Sequence, residues 1–272
     1  NKINKMEKVK NYDEVVAIAG KHLGKVGGDG YSDQYNRELL VKIPRYLNRE
    51  GYDLTSDSFV GVDTWNCYEV SAITTKGQPV AGLLITGIEA TVKRDLDELL
   101  ETSTIVTFFA SEEEGLELSF EGYEDLGGLV DLDQIDFTSF QSDATQLAVE
   151  DTSDVAKEVK LKSNLLRSNC RVTNQPDWGD VFIKMVGKKL PSADSLAKYI
   201  VSHRTVSHFH EEICEMVYKH LSDAYEPEQL MVSCLYTRRG GLDINPVRAS
   251  HSSLIPEFFT SRDYRIKKTL RQ

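Results

Sequence analysis

The chain has 272 residues, 40% hydrophobic and 28% charged, an ordinary balance for a globular protein with room for one large or two moderate domains. A net charge of −11 argues against a surface built mainly for nucleic acid, whose phosphates need clustered Lys and Arg, though it leaves room for a local basic pocket. No stretch approaches the roughly 18 apolar residues that cross a bilayer, and the lysine-rich start from Asn1 to Lys10 has no apolar signal core, so a cytoplasmic protein is expected.

In chain order, Thr64 to Thr74 and Pro79 to Ile88 read as strands joined by a turn at Lys76-Gly77-Gln78. Arg94 to Thr102 reads as a short acidic helix and Thr104 to Ala110 as a strand. Glu112 to Asp125 is acidic and punctuated by glycine, with a strand and a loop expected there. Gln141 to Lys157 is polar and reads as a link. Asp180 to Val186 alternates as a half-buried strand, with room for another strand before it and a turn at Gly187-Lys188-Lys189 after it. Ser192 can cap a helix from about Ala193 to His203. A second helix from Ser207 to Ala224 places Phe209, Ile213, Met216, Val217 and Leu221 on one stripe. Pro227 ends it, and Leu230 to Thr237 reads as a strand. Two α+β units of similar order suggest a tandem arrangement, residues 1–150 and 151–272.

The four cysteines, Cys67, Cys170, Cys214 and Cys234, form no CxxC pair, and neither they nor the six scattered histidines have metal-ligand spacing. For Cys67, Cys214 and Cys234 the expected role is that of a small buried hydrophobe. Cys170 differs: it stands in a polar stretch, Ser168 to Trp178, with Asp177 seven residues on and Pro176 fixing the backbone between. A thiolate is the strongest common side-chain nucleophile, and a neighbouring acid can protonate whatever the attack makes basic. Adding a thiol to a nitrile needs both, because nitrogen takes a proton as sulfur meets carbon. His210 can move protons near neutral pH, and Glu211, in a helical first turn, can accept paired donors from a purine edge. Against this, Glu211 and His210 also fit a solvated charge and a packed ring at a helix start. Arg238 and Arg239 precede Gly240 and Gly241 in a loop that suits an anion or serves as an ordinary turn.

Taken in order, SNLLRSNC, NQPDWG, FHEEICE and YTRRGGLDINP between Ser163 and Pro246 resemble the QueF family of nitrile reductases in its two-module form. LGK at Leu23–Lys25, IPRYLNRE at Ile43–Glu50 and TWNCYEVS at Thr64–Ser71 extend the likeness. The resemblance implies a tandem tunnelling fold (T-fold) of antiparallel sheets with helices on one face, assembled as a homo-oligomer such as a dimer. It also implies 7-cyano-7-deazaguanine as substrate. Cys170 is then the thioimide-forming nucleophile, Asp177 the general acid, His210 the proton-handling group, and Glu211 with Glu89 the substrate-recognising carboxylates.

The family's Glu-Ser-Lys-Ser-x-Lys string, which helps hold NADPH, is absent. The nearest placement is Glu89-Ala90-Thr91-Val92, which keeps the Glu and loses the Ser and Lys. On that ground the expectation is a cofactor-independent fate for the thioimide: ammonia giving an amidine, as in QueF-like amidinotransferases of archaeosine formation, or water giving hydrolysis. The alternatives are NADPH-dependent reduction to the aminomethyl base, with Arg238 and Arg239 meeting a cofactor phosphate, and a non-catalytic protein that binds deazaguanines.

Overall fold

The computed structural model describes residues 59–67, 83–109, 115–171, 173–238 and 242–272. They fall into two compact units, one holding 83–109 and the other 59–67 with all described residues from 115 onward.

In the first unit, Leu83–Leu100 is a helix, α1. Asp95 and Leu99 are buried one turn apart while Ala90, Arg94 and Glu98 face water, and this period of 3.6 overrides the β-branched Ile85, Thr86 and Ile88 of the strand expected over 79–88, whose first residues, 79–82, lie outside the described residues. Residues 103–109 form no strand. Their backbone donors go to side chains of α1 instead: Thr104 N donates to Asp97 Oδ1 at 2.6 Å and Phe108 N to Glu89 Oε1 at 2.6 Å.

The second unit is built on a six-stranded sheet. Its strands are β1 (Val60–Cys67), β3 (Glu124–Asp125), β4 (Val149–Asn169), β5 (Pro176–Pro191), β6 (Gln229–Tyr236) and β7 (Leu242–Ala249), in the spatial order β1-β7-β6-β5-β4-β3. All neighbours are antiparallel except β3 on β4. A short β2 (Leu116–Leu118) pairs in parallel with β8 (Tyr264–Ile266). The polar stretch read as a link carries the first half of β4, which stays mostly exposed and hence needs no apolar face. The turn expected at Gly187 to Lys189 is strand: a register shift between Thr152 and Lys157 absorbs the mismatch, and β5 continues to Pro191.

After the short α2 (Leu126–Leu129), the helices that position the site are α3 (Ala193–Ser202) and α4 (His210–Tyr225). Ser192 caps α3 by accepting from Ser195 N. Both helices lie on one face of the sheet, where Leu196, Ile200, Ile213, Val217 and Leu221 pack against Val181, Ile183, Val232 and Cys234. Cys214 and Cys234 are wholly buried and free, as expected of small hydrophobes. A second cluster, with Phe182, Met231, Val247 and Phe259, covers the other face. The architecture is mixed α+β, and no helix among the described residues is long and apolar enough to cross a membrane.

Candidate active site

Strands β4 and β5 are joined by residues 170–175, so the nucleophile candidate sits in the turn of a long hairpin. The turn is closed by its own backbone: Cys170 N donates to Gln175 O and Asn174 N to Cys170 O, both at 2.8 Å. Asn174 takes the left-handed conformation this requires (φ 54), which Asn tolerates better than most side chains. Cys170 itself is half-buried and free.

Across the hairpin Ser168 pairs with Asp177 and Asn169 with Pro176, so the carboxylate stands beside the strand end that carries the thiol. Asn169 also fixes the entry to α4. Its N–H donates to Val206 O at 2.8 Å and its carbonyl accepts from His208 N at 3.1 Å. That short ladder brings the first turn of α4 against the hairpin turn. His210 Nε2 then lies 3.3 Å from Asp177 Oδ1, with both side chains almost fully buried.

Tyr236, at the end of β6, completes the wall. Its ring stacks on His210 with centroids 4.0 Å apart and planes 7° from parallel. Gly179, facing it on β5, makes room: a Cβ there would meet the Tyr236 ring at 3.0 Å. Burial above all, then the neighbouring Cys234 and Cys214 thiols and the Asp177 and Glu211 carboxylates, pushes the Tyr236 phenol well above its ordinary range. The phenol therefore stays protonated and able to donate. Ser168 Oγ, His210 Nδ1 and Tyr236 Oη are buried without a hydrogen-bond partner among the described residues. Unmatched polar atoms are costly in a closed core and useful in a site that receives a polar ligand.

Glu211 is half-buried in the first turn of α4, where the helix dipole favours a carboxylate. The next residue is the larger surprise. Glu212 is wholly buried, accepts from Arg171 Nη1 at 2.7 Å and from Phe209 N, and has His208 Nδ1 3.5 Å away. It ties the residue after Cys170 to the start of α4. The sequence signal was a Glu at the third helical position, masked because Phe209 is not a recognisable cap.

Of the remaining candidates, Arg238 is exposed just after β6, where the preceding Thr237 N donates to Trp178 O at 2.9 Å. Arg239 lies outside the described residues. Glu89 is in the other unit, within α1 rather than after a strand, and its carboxylate holds the Phe108 N–H.

The family described as "QueF-like protein" matches residues 176–254, and "Nitrile reductase, 7-cyano-7-deazaguanine-reductase N-term" matches residues 31–115. A relative from Hahella chejuensis is 37% identical over 85% of this chain and 93% of its own length. Relatives from Rickettsia bellii (34%, 88% of this chain and 96% of theirs) and Colwellia psychrerythraea (30%, 90% and 97%) are similar throughout. All three are named "NADPH-dependent 7-cyano-7-deazaguanine reductase". A crystal structure of the apo archaeosine synthase QueF-Like aligns with 38% of this chain and 99% of its own at 18% identity and a TM-score of 0.32, a likeness that carries no argument.

The relatives overturn the expectation of a cofactor-independent reaction and, with it, of ammonia or water as the second reactant. That expectation rested on one missing string. A large ligand is held by groups spread over many segments, so one altered stretch is a poor measure of binding.

Proposed function

Because the chain belongs to the QueF family of nitrile reductases, we propose that it reduces 7-cyano-7-deazaguanine to the 7-aminomethyl base with NADPH. The observation that carries the reading is the Asp177–His210 pair, buried beside the turn that presents Cys170, in a chain similar to NADPH-dependent reductases over nearly their whole length.

In this reading the Cys170 sulfur adds to the nitrile carbon and the nitrile nitrogen takes one proton, giving a thioimide. Asp177 supplies that proton, from a carboxyl shielded from water and held against His210. Stacking on Tyr236 fixes the imidazole plane, so the proton path has one geometry. Glu211 accepts the paired N–H donors of the base edge. The four-electron change from nitrile to amine takes two hydrides, which two equivalents of NADPH would supply when bound in turn. The donor set suits a phosphate-bearing cofactor: Arg238 is exposed beside the site, and three further guanidiniums around Trp178 make no ion pair among the described residues. Residence in the cytoplasm and assembly as a homo-oligomer belong to the same proposal.

The test mixes wild type with the nitrile and follows both intact mass and NADPH absorbance. An adduct on wild type, none on Cys170→Ala, and nitrile-dependent NADPH oxidation are expected. Asp177→Asn should slow adduct formation about 10²–10⁴-fold. A wild type that forms no adduct and oxidises no NADPH would sink the reading.

A further inference from the structure

Trp178 is next to Asp177 in sequence, but alternation along β5 turns it to the opposite face of the sheet. Three arginines surround its indole. Their guanidinium carbons lie 4.7 Å (Arg271), 5.5 Å (Arg167) and 5.7 Å (Arg204) from the ring centroid. They come from three places: Arg167 is the cross-strand partner of Trp178 on β4, Arg204 sits in the turn after α3, and Arg271 lies beyond β8.

None of the three makes an ion pair among the described residues. Arg167 spends its donors on the Arg204 carbonyl, at 2.7 Å, and on Asn169 Oδ1, at 3.2 Å. Arg204 Nε and Arg271 Nη1 are shielded from water and have no hydrogen-bond partner among the described residues. Burial above all, and then the charges of Arg167 and Arg271, lowers the Arg204 pKa. Asp180, its carboxyl raised by burial and pulled back in part by Thr269 and Arg271, interacts with this cluster through Arg271. An indole face offsets only a small part of the crowding of three cations. In a chain with a net charge of −11, three gathered guanidiniums, two of them with idle donors, suit an anion of more than one negative charge.

We propose that Arg167, Arg204 and Arg271 form a phosphate site on the Trp178 platform. Guanidinium forks match phosphate oxygens in pairs, and a phosphate monoester presents enough oxygens to engage several at once. The occupant assigned to it rests on the NADPH reading above: the phosphate monoester that NADPH carries and NADH lacks. Inorganic phosphate is the other source of the same chemistry.

Two measurements separate these. With Trp65→Phe, Trp178 is the sole tryptophan of the chain, and its fluorescence reports on added inorganic phosphate at constant ionic strength. A saturable change is expected, weakened about tenfold or more by Arg204→Gln and by Arg271→Gln and partly restored by Arg271→Lys. Calorimetry with Cys170→Ala protein then compares NADPH with NADH. A preference for NADPH should shrink by a similar factor in Arg204→Gln, with thermal melting confirming that the variant is folded. The absence of any saturable phosphate response would overturn the site. A phosphate response without a preference for NADPH would keep the site and overturn the cofactor as its occupant. Wild-type NADPH oxidation that persists while the variants leave phosphate binding and the NADPH preference unchanged would reject the site and leave the reductase reading standing.

Discussion

Arg171 Nη1 donates to Glu212 Oε1 across 2.7 Å, and this bond joins the turn that carries Cys170 to the first turn of α4. Glu212 is wholly buried and also holds the Phe209 N–H. Removing the carboxylate leaves a guanidinium and a helix-start donor short of a partner. Glu212→Ala should therefore cost about 1–3 kcal/mol of stability and slow adduct formation at Cys170. Glu212→Gln keeps one accepting oxygen but puts an NH2 where the other stood, so it should recover only part of the stability. Urea unfolding and the rate of adduct formation by mass spectrometry measure the two effects.

Gly179 has a different hold on the site. Its missing side chain leaves space for the Tyr236 ring, which in turn lies flat on His210. Gly179→Ala should push that ring by a few tenths of an ångström and disturb the stack. The expected outcome is slower adduct formation with a melting temperature close to wild type. Tyr236→Phe, which keeps the ring and drops the hydroxyl, should preserve the stack and reveal what the phenol contributes on its own.

His203 makes stability depend on pH. It is fully buried, with Nδ1 3.1 Å from Tyr199 O, and burial lowers its pKa to about 4 from an unfolded value near 6.5. Between those values the unfolded chain binds more protons than the folded one, so stability is complete above pH 6.5 and declines as the pH falls towards 4. The loss amounts to about 3 kcal/mol at most. Urea midpoints across that window should fall with acid in wild type and fall less in His203→Asn, whose amide can still donate to Tyr199 O.

Arg248 anchors the far edge of the sheet. It meets Glu215 of α4 at 2.9 Å and Asp63 of β1 at 2.7 Å, with Arg248 and Glu215 both buried. Glu215→Ala leaves a buried charge with half its compensation and should destabilise by about 3–5 kcal/mol. Replacing both partners together, Glu215→Leu with Arg248→Met, should cost less than the single change. Thermal and urea unfolding of the single and double variants decide this.

What was readable in the sequence is what local pattern controls. Ser192 and the stripe through Ile213, Val217 and Leu221 announce α3 and α4 because a cap and a 3.6-residue period are contiguous signals. Cys170 and Asp177 are legible as a pair because one hairpin turn separates them. Residues 83–88 and 104–109 mislead because their β-branched residues favour strands locally, whereas Asp97 and Glu89 capture the backbone donors a ladder would need. Arg167, Arg204 and Arg271 lie too far apart in the chain for any local pattern to unite them, and only the fold gathers them at Trp178. Tyr236 is similarly invisible, since its role depends on the absence of a side chain at Gly179 on the neighbouring strand.

Strand β1 pairs with β7 along its whole length, from Val60 opposite Ala249 to Cys67 opposite Leu242. The sheet that carries the chemistry is thus not a contiguous cassette of sequence: its outermost ribbon is lent by residues far upstream. A fragment beginning at residue 115 would display β7 as a naked template. Naked templates recruit, and the nearest recruit in a concentrated solution is the same ribbon from another copy or an extended peptide of matching register. Eight residues remote from the thiol therefore decide whether this half of the protein keeps to itself.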